Sequence, residues 1–164
     1  VKRSPGALRY ATAVSHAAPA ALRRYSIIAY ALMVAGLFLL ISRREVFARS
    51  VPGLAIQAAA VVLMIAARVT FGRRSFHAAA NPTKGGLVTN GPYRWLRHPI
   101  YASVLYFTWS TAVDHRTVQS VVAALLVTAG AFVRMYAEES LLTTTYPEYA
   151  PYRARTARVI PFVL

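Results

Sequence analysis

Hydrophobic positions gather into four runs, residues 25–42, 51–67, 99–113 and 118–133, separated by polar and basic stretches. The first carries no charge over 18 residues. At a rise of about 1.5 Å per residue, that length crosses most of a hydrocarbon core about 30 Å thick. The second has 17 residues, with Gln57 as its one polar side chain. The third is shorter and rich in aromatics. The fourth follows the hydrophilic turn Asp114-His115-Arg116-Thr117. These last two are short for spans and are expected to form a tight helical hairpin whose ends pass beyond the lipid core. Ala, Gly, Ser and Thr recur in all four runs, as close helix packing in lipid requires. The pattern predicts an all-α integral membrane bundle of four to five helices. It forms one domain, residues 25–164, behind a basic arm, residues 1–24.

Composition agrees. Hydrophobic residues make up 57% of the 164-residue chain, and the mean hydropathy is +0.43. That is too apolar for a soluble domain of this size. Cysteine is absent, which excludes a disulfide framework, a thiol nucleophile and a thiolate metal site. The net charge is +14, from 19 Lys+Arg against 5 Asp+Glu. The cations lie between the apolar runs, so anionic lipid headgroups, not nucleic acid, are the expected partner. The chain opens on Val1, which suggests a fragment or a processed end. The arm reads as a basic cytosolic segment; a transit peptide is the alternative. Positive charges on the alternate sides of the four runs number 15 and 4. Both termini and the middle loop are therefore expected in the cytosol.

The middle loop, roughly residues 70–98, contains the turn signals Asn81-Pro82 and Asn90-Gly91. It is too long to be only a connector and is a functional-loop candidate. Beyond Val133 the chain becomes polar and aromatic, with Tyr146, Tyr149 and Tyr152 at three-residue spacing, before an apolar end. The spacing predicts a helix continuing out of the fourth run and a break near Pro147. The region 138–164 is expected to end in a segment lying at the membrane interface.

Two clusters carry candidate chemistry. The first is the stretch 91–101, GPYRWLRHPIY. Pro99 suits the first position of a helix and biases His98 away from helical geometry. The next backbone N–H groups, from Ile100 and Tyr101, then form an anion site at a helix N-terminus, with Arg94 and Arg97 beside it. The bland alternative is an interfacial belt, where Trp, Tyr and Arg are common anchors. The second cluster is Arg134, Glu138 and Glu139, which holds two of the five acids. Arg134 and Glu138 share a helix face four residues apart, which also suits a purely structural ion pair. Ionisable groups at the end of a span are functional candidates. Histidines 16, 77, 98 and 115 are scattered without ligand spacing, so no metal site is expected. No GxGxxG motif, P-loop or nucleophile elbow is present.

Together these residues resemble the signature of the isoprenylcysteine carboxyl methyltransferase family, to which phospholipid methyltransferases are related. Tyr93, Arg97-His98-Pro99 and Tyr101 are similar to its first block, and Arg134, Glu138-Glu139 and Leu142 to its second. Tyr149, Tyr152, Arg158 and Ile160-Pro161 are similar to its closing stretch. The likeness runs from about residue 87 to 161; the first two spans match in character only.

The resemblance implies a membrane-embedded enzyme that uses S-adenosylmethionine without a Rossmann domain, in a cytosolic-side pocket. By position, Tyr93, Arg97, His98, Pro99 and Tyr101 would line the cofactor site, and Glu138 and Glu139 would close it. Arg134 and Arg158 would orient the substrate or brace the C-terminal segment. In this reading Arg97 and the helix N-terminus suit the cofactor carboxylate. Glu138 or Glu139 suits its amino group or sulfonium, and Tyr93, Trp95 or Tyr101 its adenine. The expected reaction is carboxyl O-methylation of a lipophilic acceptor arriving from the bilayer. The alternatives are phospholipid N-methylation and a non-enzymatic bundle such as a transporter or assembly factor. A transporter would be expected to carry broken helices or charges at mid-membrane.

Overall fold

The computed structural model describes residues 20–72 and 86–161. Most of the N-terminal arm, the Asn81-Pro82 turn signal, His16, His77 and the last three residues lie outside them. Within the described residues five α-helices follow one another: α1 (Ala20–Ser42), α2 (Val51–Phe71), α3 (Pro99–His115), α4 (Val118–Thr145) and α5 (Tyr149–Ala154). A 3-10 turn, Gly91–Arg94, precedes α3. The described residues contain no strand, only an isolated parallel bridge between Leu96 and Ala157. The all-α membrane bundle expected from the sequence is the architecture observed.

Helix ends follow local chemistry. The Ser50 side chain accepts a hydrogen bond from the Gly53 N–H (3.1 Å), and Pro52 occupies the first turn of α2. Thr117 caps α4 by accepting from the Ser120 N–H (3.1 Å). Such caps satisfy amides that have no partner inside the helix. Arg116, in the left-handed region at φ 55°, ends α3 and reverses the chain into α4. The hairpin turn is thus tighter than the sequence suggests, with Asp114 and His115 still helical.

Helices α1, α2 and α4 are long and apolar enough to cross a membrane. Helix α3, at 17 residues, reaches about 26 Å. Helix α4 has 28 residues, about 42 Å, and does not stop at residue 133. The charges at Arg134, Glu138 and Glu139 do not end it because each is paired within the protein. The break comes at Tyr146, before Pro147, as the proline predicts.

In cross-section the helices lie in the order α2, α3, α4, α1. Small residues let α1 approach α4 closely. A Cβ on Gly130 would fall 2.7 Å from Met33 Cγ and against the Ala29 carbonyl oxygen, and one on Gly36 would fall 2.7 Å from the Ala123 carbonyl oxygen. Met33, Tyr101, Leu105, Val127, Ala131 and Met135 form the main core. Phe38, Val62, Val69 and Leu125 point outward, where lipid rather than water is the fitting solvent.

Gln57, the lone polar side chain of its run, is buried and fully used. Its Oε1 accepts from the Ala48 N–H (3.0 Å), and its Nε2 donates to the Val46 carbonyl (3.0 Å) and to Thr111 Oγ1 (2.8 Å). It ties the 43–50 turn to α3. At the same end of the bundle, Asp114 accepts from the backbone N–H groups of Arg49 and Ser50, and Thr117 donates to Glu45 (2.8 Å). The opposite end, where α2 finishes, α3 begins and α4 emerges, holds the candidate site.

Candidate functional site

The site begins with Pro99. It occupies the first turn of α3, and His98 before it is non-helical at φ −128°, ψ 59°. The His98 side chain makes no capping bond, so the imidazole turns toward α4. There its Nε2 lies 3.1 Å from Glu139 Oε1, and its Nδ1 lies 3.8 Å from Glu138 Oε2. One proline thus sets a helix start and aims an imidazole at both adjacent carboxylates.

Glu139 is the hub. Its Oε1 accepts from Arg97 Nε (3.3 Å) and Arg158 Nε (3.1 Å), and its Oε2 from Arg158 Nη2 (2.9 Å). The Arg97 and Glu139 side chains are each 6% exposed. A carboxylate buried to this degree is tolerated because several donors, two of them cationic, surround it. Arg97 Nη1 also donates to the carbonyls of Arg153 (2.8 Å) and Thr156. Backbone pairing completes the junction: the Arg97 N–H donates to the Ala157 carbonyl (2.7 Å) and the His98 N–H to the Arg158 carbonyl (3.1 Å). The C-terminal segment is therefore docked on the Arg-His-Pro turn. Arg158, on that segment, is bonded through Nε and Nη2 to Glu139 of α4.

Glu138 is the more open acid, with its side chain 26% exposed. Tyr101 Oη donates to it, and Arg134 Nη2 lies 3.2 Å away. Arg134 reaches further, donating from Nε to Tyr101 Oη (2.7 Å) and from Nη1 to Ser26 Oγ (3.2 Å). Its guanidinium also lies over the Tyr30 ring, 5.5 Å from the centroid. Arg134 therefore pairs structurally with Glu138 and also ties α1 to the site.

Tyr93 is buried beside Phe71, with ring centroids 5.5 Å apart, and its carbonyl accepts from Tyr152 Oη (2.8 Å). Burial first, then the Glu138 charge, push its hydroxyl above the usual phenol range, so it stays protonated. Trp95 is 59% exposed with Arg94 over its ring, the arrangement of an interfacial anchor rather than of a pocket wall.

The structure thus gathers Tyr93, Arg97, His98, Pro99, Tyr101, Arg134, Glu138, Glu139 and Arg158 at one end of the bundle and leaves Trp95, the other ring offered for the adenine, at the surface. Three participants have no sequence signal of their own. Ser26 looks like any small residue in a span, and Arg153 and Thr156 contribute backbone carbonyls that no motif records. Tyr149 had a signal in the tyrosine spacing: α5 places Tyr149 and Tyr152 on one buried face. Beside this network lies a cleft of about 690 Å³ between α4 and the C-terminal segment, lined by Arg97, Phe132, Tyr149, Arg153, Arg158 and Ile160 among others.

Comparison with known proteins fits this arrangement. The nickel-cobalt-cadmium resistance protein NccN of Alcaligenes xylosoxydans xylosoxydans is 38% identical over 80 residues. That match covers 46% of this chain and 36% of NccN, so the chain spans little more than a third of that relative's length. No solved structure matches. The phospholipid methyltransferase family profile matches residues 48–149, from the turn before α2 to the start of α5. That match takes in more than half of the chain, and the protein belongs to this family of isoprenylcysteine carboxyl methyltransferase-like membrane methyltransferases.

Proposed function

We propose that the protein transfers a methyl group from S-adenosylmethionine to the carboxylate of a lipophilic acceptor, a reaction of the isoprenylcysteine type. The observation that carries this reading is the junction at Glu139. There the Arg-His-Pro turn, the α4 acids and Arg158 close into one buried network beside a cationic and apolar cleft.

The donor set fits the cofactor. Glu138 is a partly exposed carboxylate suited to an amino group or a sulfonium, with Tyr101 and His98 next to it. Glu139 holds the junction together; Glu138 is the one with a free aspect. Bound there, S-adenosylmethionine supplies an electrophilic methyl on a cationic sulfur. The chain's own part is to orient and to exclude water. The buried ring of Tyr101 and the fixed Arg134 hold Glu138 in place, and Arg97 and Arg158 keep the C-terminal segment over the site. Transfer to a carboxylate joins an anion to a cation and disperses charge, so a dry, positioned encounter helps and no general base is needed.

Phospholipid N-methylation is the second reading, favoured by the family's description. There a proton must leave the amine, and Glu138 is the group placed to take it. We place the site and both termini on the cytosolic side, from the charge bias between alternate loops.

The test is methyl transfer from radiolabelled S-adenosylmethionine into a lipid extract by the purified protein. A base-labile product that releases methanol supports carboxyl methylation. A base-stable lipid product supports N-methylation. Absence of both, with no binding of S-adenosylhomocysteine by calorimetry, overturns the enzyme reading. His98→Ala and Glu138→Ala are each expected to weaken S-adenosylhomocysteine binding at least tenfold.

A further inference from the structure

Helix α1 carries none of the candidate residues, yet it reaches the site. It does so along one seam against α4. Gly36 sits against Ala123 and Val127, and one to two turns nearer the site Met33 and Ala29 close over Gly130. Ser26 then meets Arg134, and Leu22 packs on Ala137 and Leu141. Residues 22, 26, 29, 33 and 36 follow the alternating four and three spacing of a single helix face. Of these five, only Ser26 offers a side-chain hydrogen bond, and it is 0% exposed.

The close approach at Gly130 and Gly36 thus delivers one polar residue to the buried head of Arg134. Arg134 Nη1 donates to Ser26 Oγ (3.2 Å) and, at longer range, to the Ser26 carbonyl (3.4 Å). The Tyr30 ring, one turn further along α1, lies against the same guanidinium. From α3, Tyr101 Oη accepts from Nε (2.7 Å). A guanidinium is planar and its donors are fixed relative to one another, so these bonds set the direction of Nη2. Nη2 makes one hydrogen bond to Glu138, at Oε1 (3.2 Å). Glu138 Oε2 lies 3.8 Å from His98 Nδ1, beyond hydrogen-bond distance. An arginine and a carboxylate left to themselves commonly form two parallel bonds, which would occupy both oxygens and cancel the charge shown to a ligand.

We infer that α1 is a positioning element of the site: Ser26, with Tyr30, holds Arg134 to a single bond with Glu138 and so keeps the second carboxylate oxygen open to a cationic group. The identity of that group, the ammonium or sulfonium of S-adenosylmethionine, rests on the function proposed above; the effect of α1 on Glu138 does not. Ser26→Ala leaves Nη1 with the more distant carbonyl. The guanidinium then turns toward Glu138 Oε2 and closes the two-bond fork. Ser26 is fully buried and reaches a ligand only through Arg134, so the effect is confined to ligands that bring a positive charge.

The test uses the full chain in one detergent and two nucleosides. Sinefungin carries an ammonium where S-adenosylmethionine has its sulfonium; methylthioadenosine keeps the adenosine and the sulfur and carries no cation. Affinities are measured by calorimetry for the unmodified protein, Ser26→Ala, Tyr30→Leu, Glu138→Gln and the double variant Ser26→Ala/Glu138→Gln. Ser26→Ala and Tyr30→Leu should each weaken sinefungin at least fivefold and methylthioadenosine less than twofold. In the Glu138→Gln background, Ser26→Ala should add less than twofold, because the charge it positions is gone. Tyr30 is 48% exposed, so its variant tests the same link without disturbing the buried seam. In ligand-free protein, modification of Glu138 by a hydrophobic carbodiimide, read by peptide mass spectrometry, should slow at least threefold in Ser26→Ala.

Equal losses for both nucleosides overturn the inference, because α1 then only supports the fold. A full further loss in the Glu138→Gln background overturns it as well, since α1 then acts through another group. Unchanged carbodiimide modification overturns it whatever the protein binds. Slowed modification in a protein that binds neither nucleoside supports the role of α1 and overturns the methyl-transfer reading.

Discussion

Replacing Glu139 with Gln keeps the size of the side chain and removes one charge, which isolates what the buried carboxylate does. Glu139 and Arg97 are each 6% exposed, so the change leaves a cation in the interior without its counter-charge. Breaking a buried pair from one side costs about 3–5 kcal/mol. Two features pull the figure toward the lower end. Arg97 keeps the carbonyls of Arg153 and Thr156, and Gln retains one acceptor oxygen. Arg158 adds little, below about 1 kcal/mol, because its side chain is 35% exposed and screened. The expected loss is therefore about 3 kcal/mol. For a chain of this size each kcal/mol moves the midpoint by about 2–4 °C, giving a drop of about 6–12 °C. The assay is thermal unfolding in one detergent, followed by tryptophan fluorescence, with Glu138→Gln as the control. Glu138 is 26% exposed and makes fewer bonds, so its variant should lose only about 1–2 kcal/mol. A Glu139→Gln shift no larger than that of Glu138→Gln would refute the idea that the Glu139 junction holds the C-terminal segment in place.

Three further outcomes are expected. Gly130→Leu should push α1 off α4, since even a Cβ meets Met33 and the Ala29 carbonyl; overpacking of about 1–3 kcal/mol, or loss of a designed α1–α4 cysteine cross-link, reports it. Gln57→Leu should cost about 2–3 kcal/mol in the same unfolding assay, because the Ala48 N–H loses its acceptor in the interior. Tags on the two termini should both be reached from the cytosolic side of sealed vesicles, and labelling of both only from outside would overturn the proposed orientation.

Much of the architecture is legible along the chain because lipid imposes a simple rule. Every backbone polar group must be satisfied within its own segment, so an uncharged apolar run of span length is a helix. Pro99 at the start of α3, the capping Ser50 and Thr117, and the break before Pro147 follow from local sterics and hydrogen bonding alone. The continuation of α4 beyond residue 133 to a break near Pro147 was legible too. What was not legible is how the charges it carries are held: Arg134, Glu138 and Glu139 find their partners on α1, α3 and the C-terminal segment, far away in the chain.

The same division applies to the site. The chain by itself marks which residues matter: the Arg-His-Pro turn, the paired acids and the tyrosine-rich tail are unusual against a greasy background, because polar groups are costly near lipid. Their division of labour is a tertiary matter. Glu138 and Glu139 are adjacent and chemically identical, but successive residues on a helix point about 100° apart. One therefore faces Arg97 and Arg158 and is closed off, and the other faces Tyr101 and Arg134 and stays partly open. The tertiary structure also decides that Tyr149, one of three evenly spaced tyrosines, is the one whose hydroxyl is buried beside the cleft without a partner among the described residues. Composition and spacing select residue types, and only packing across elements far apart in the chain determines which of them are left with a group to offer.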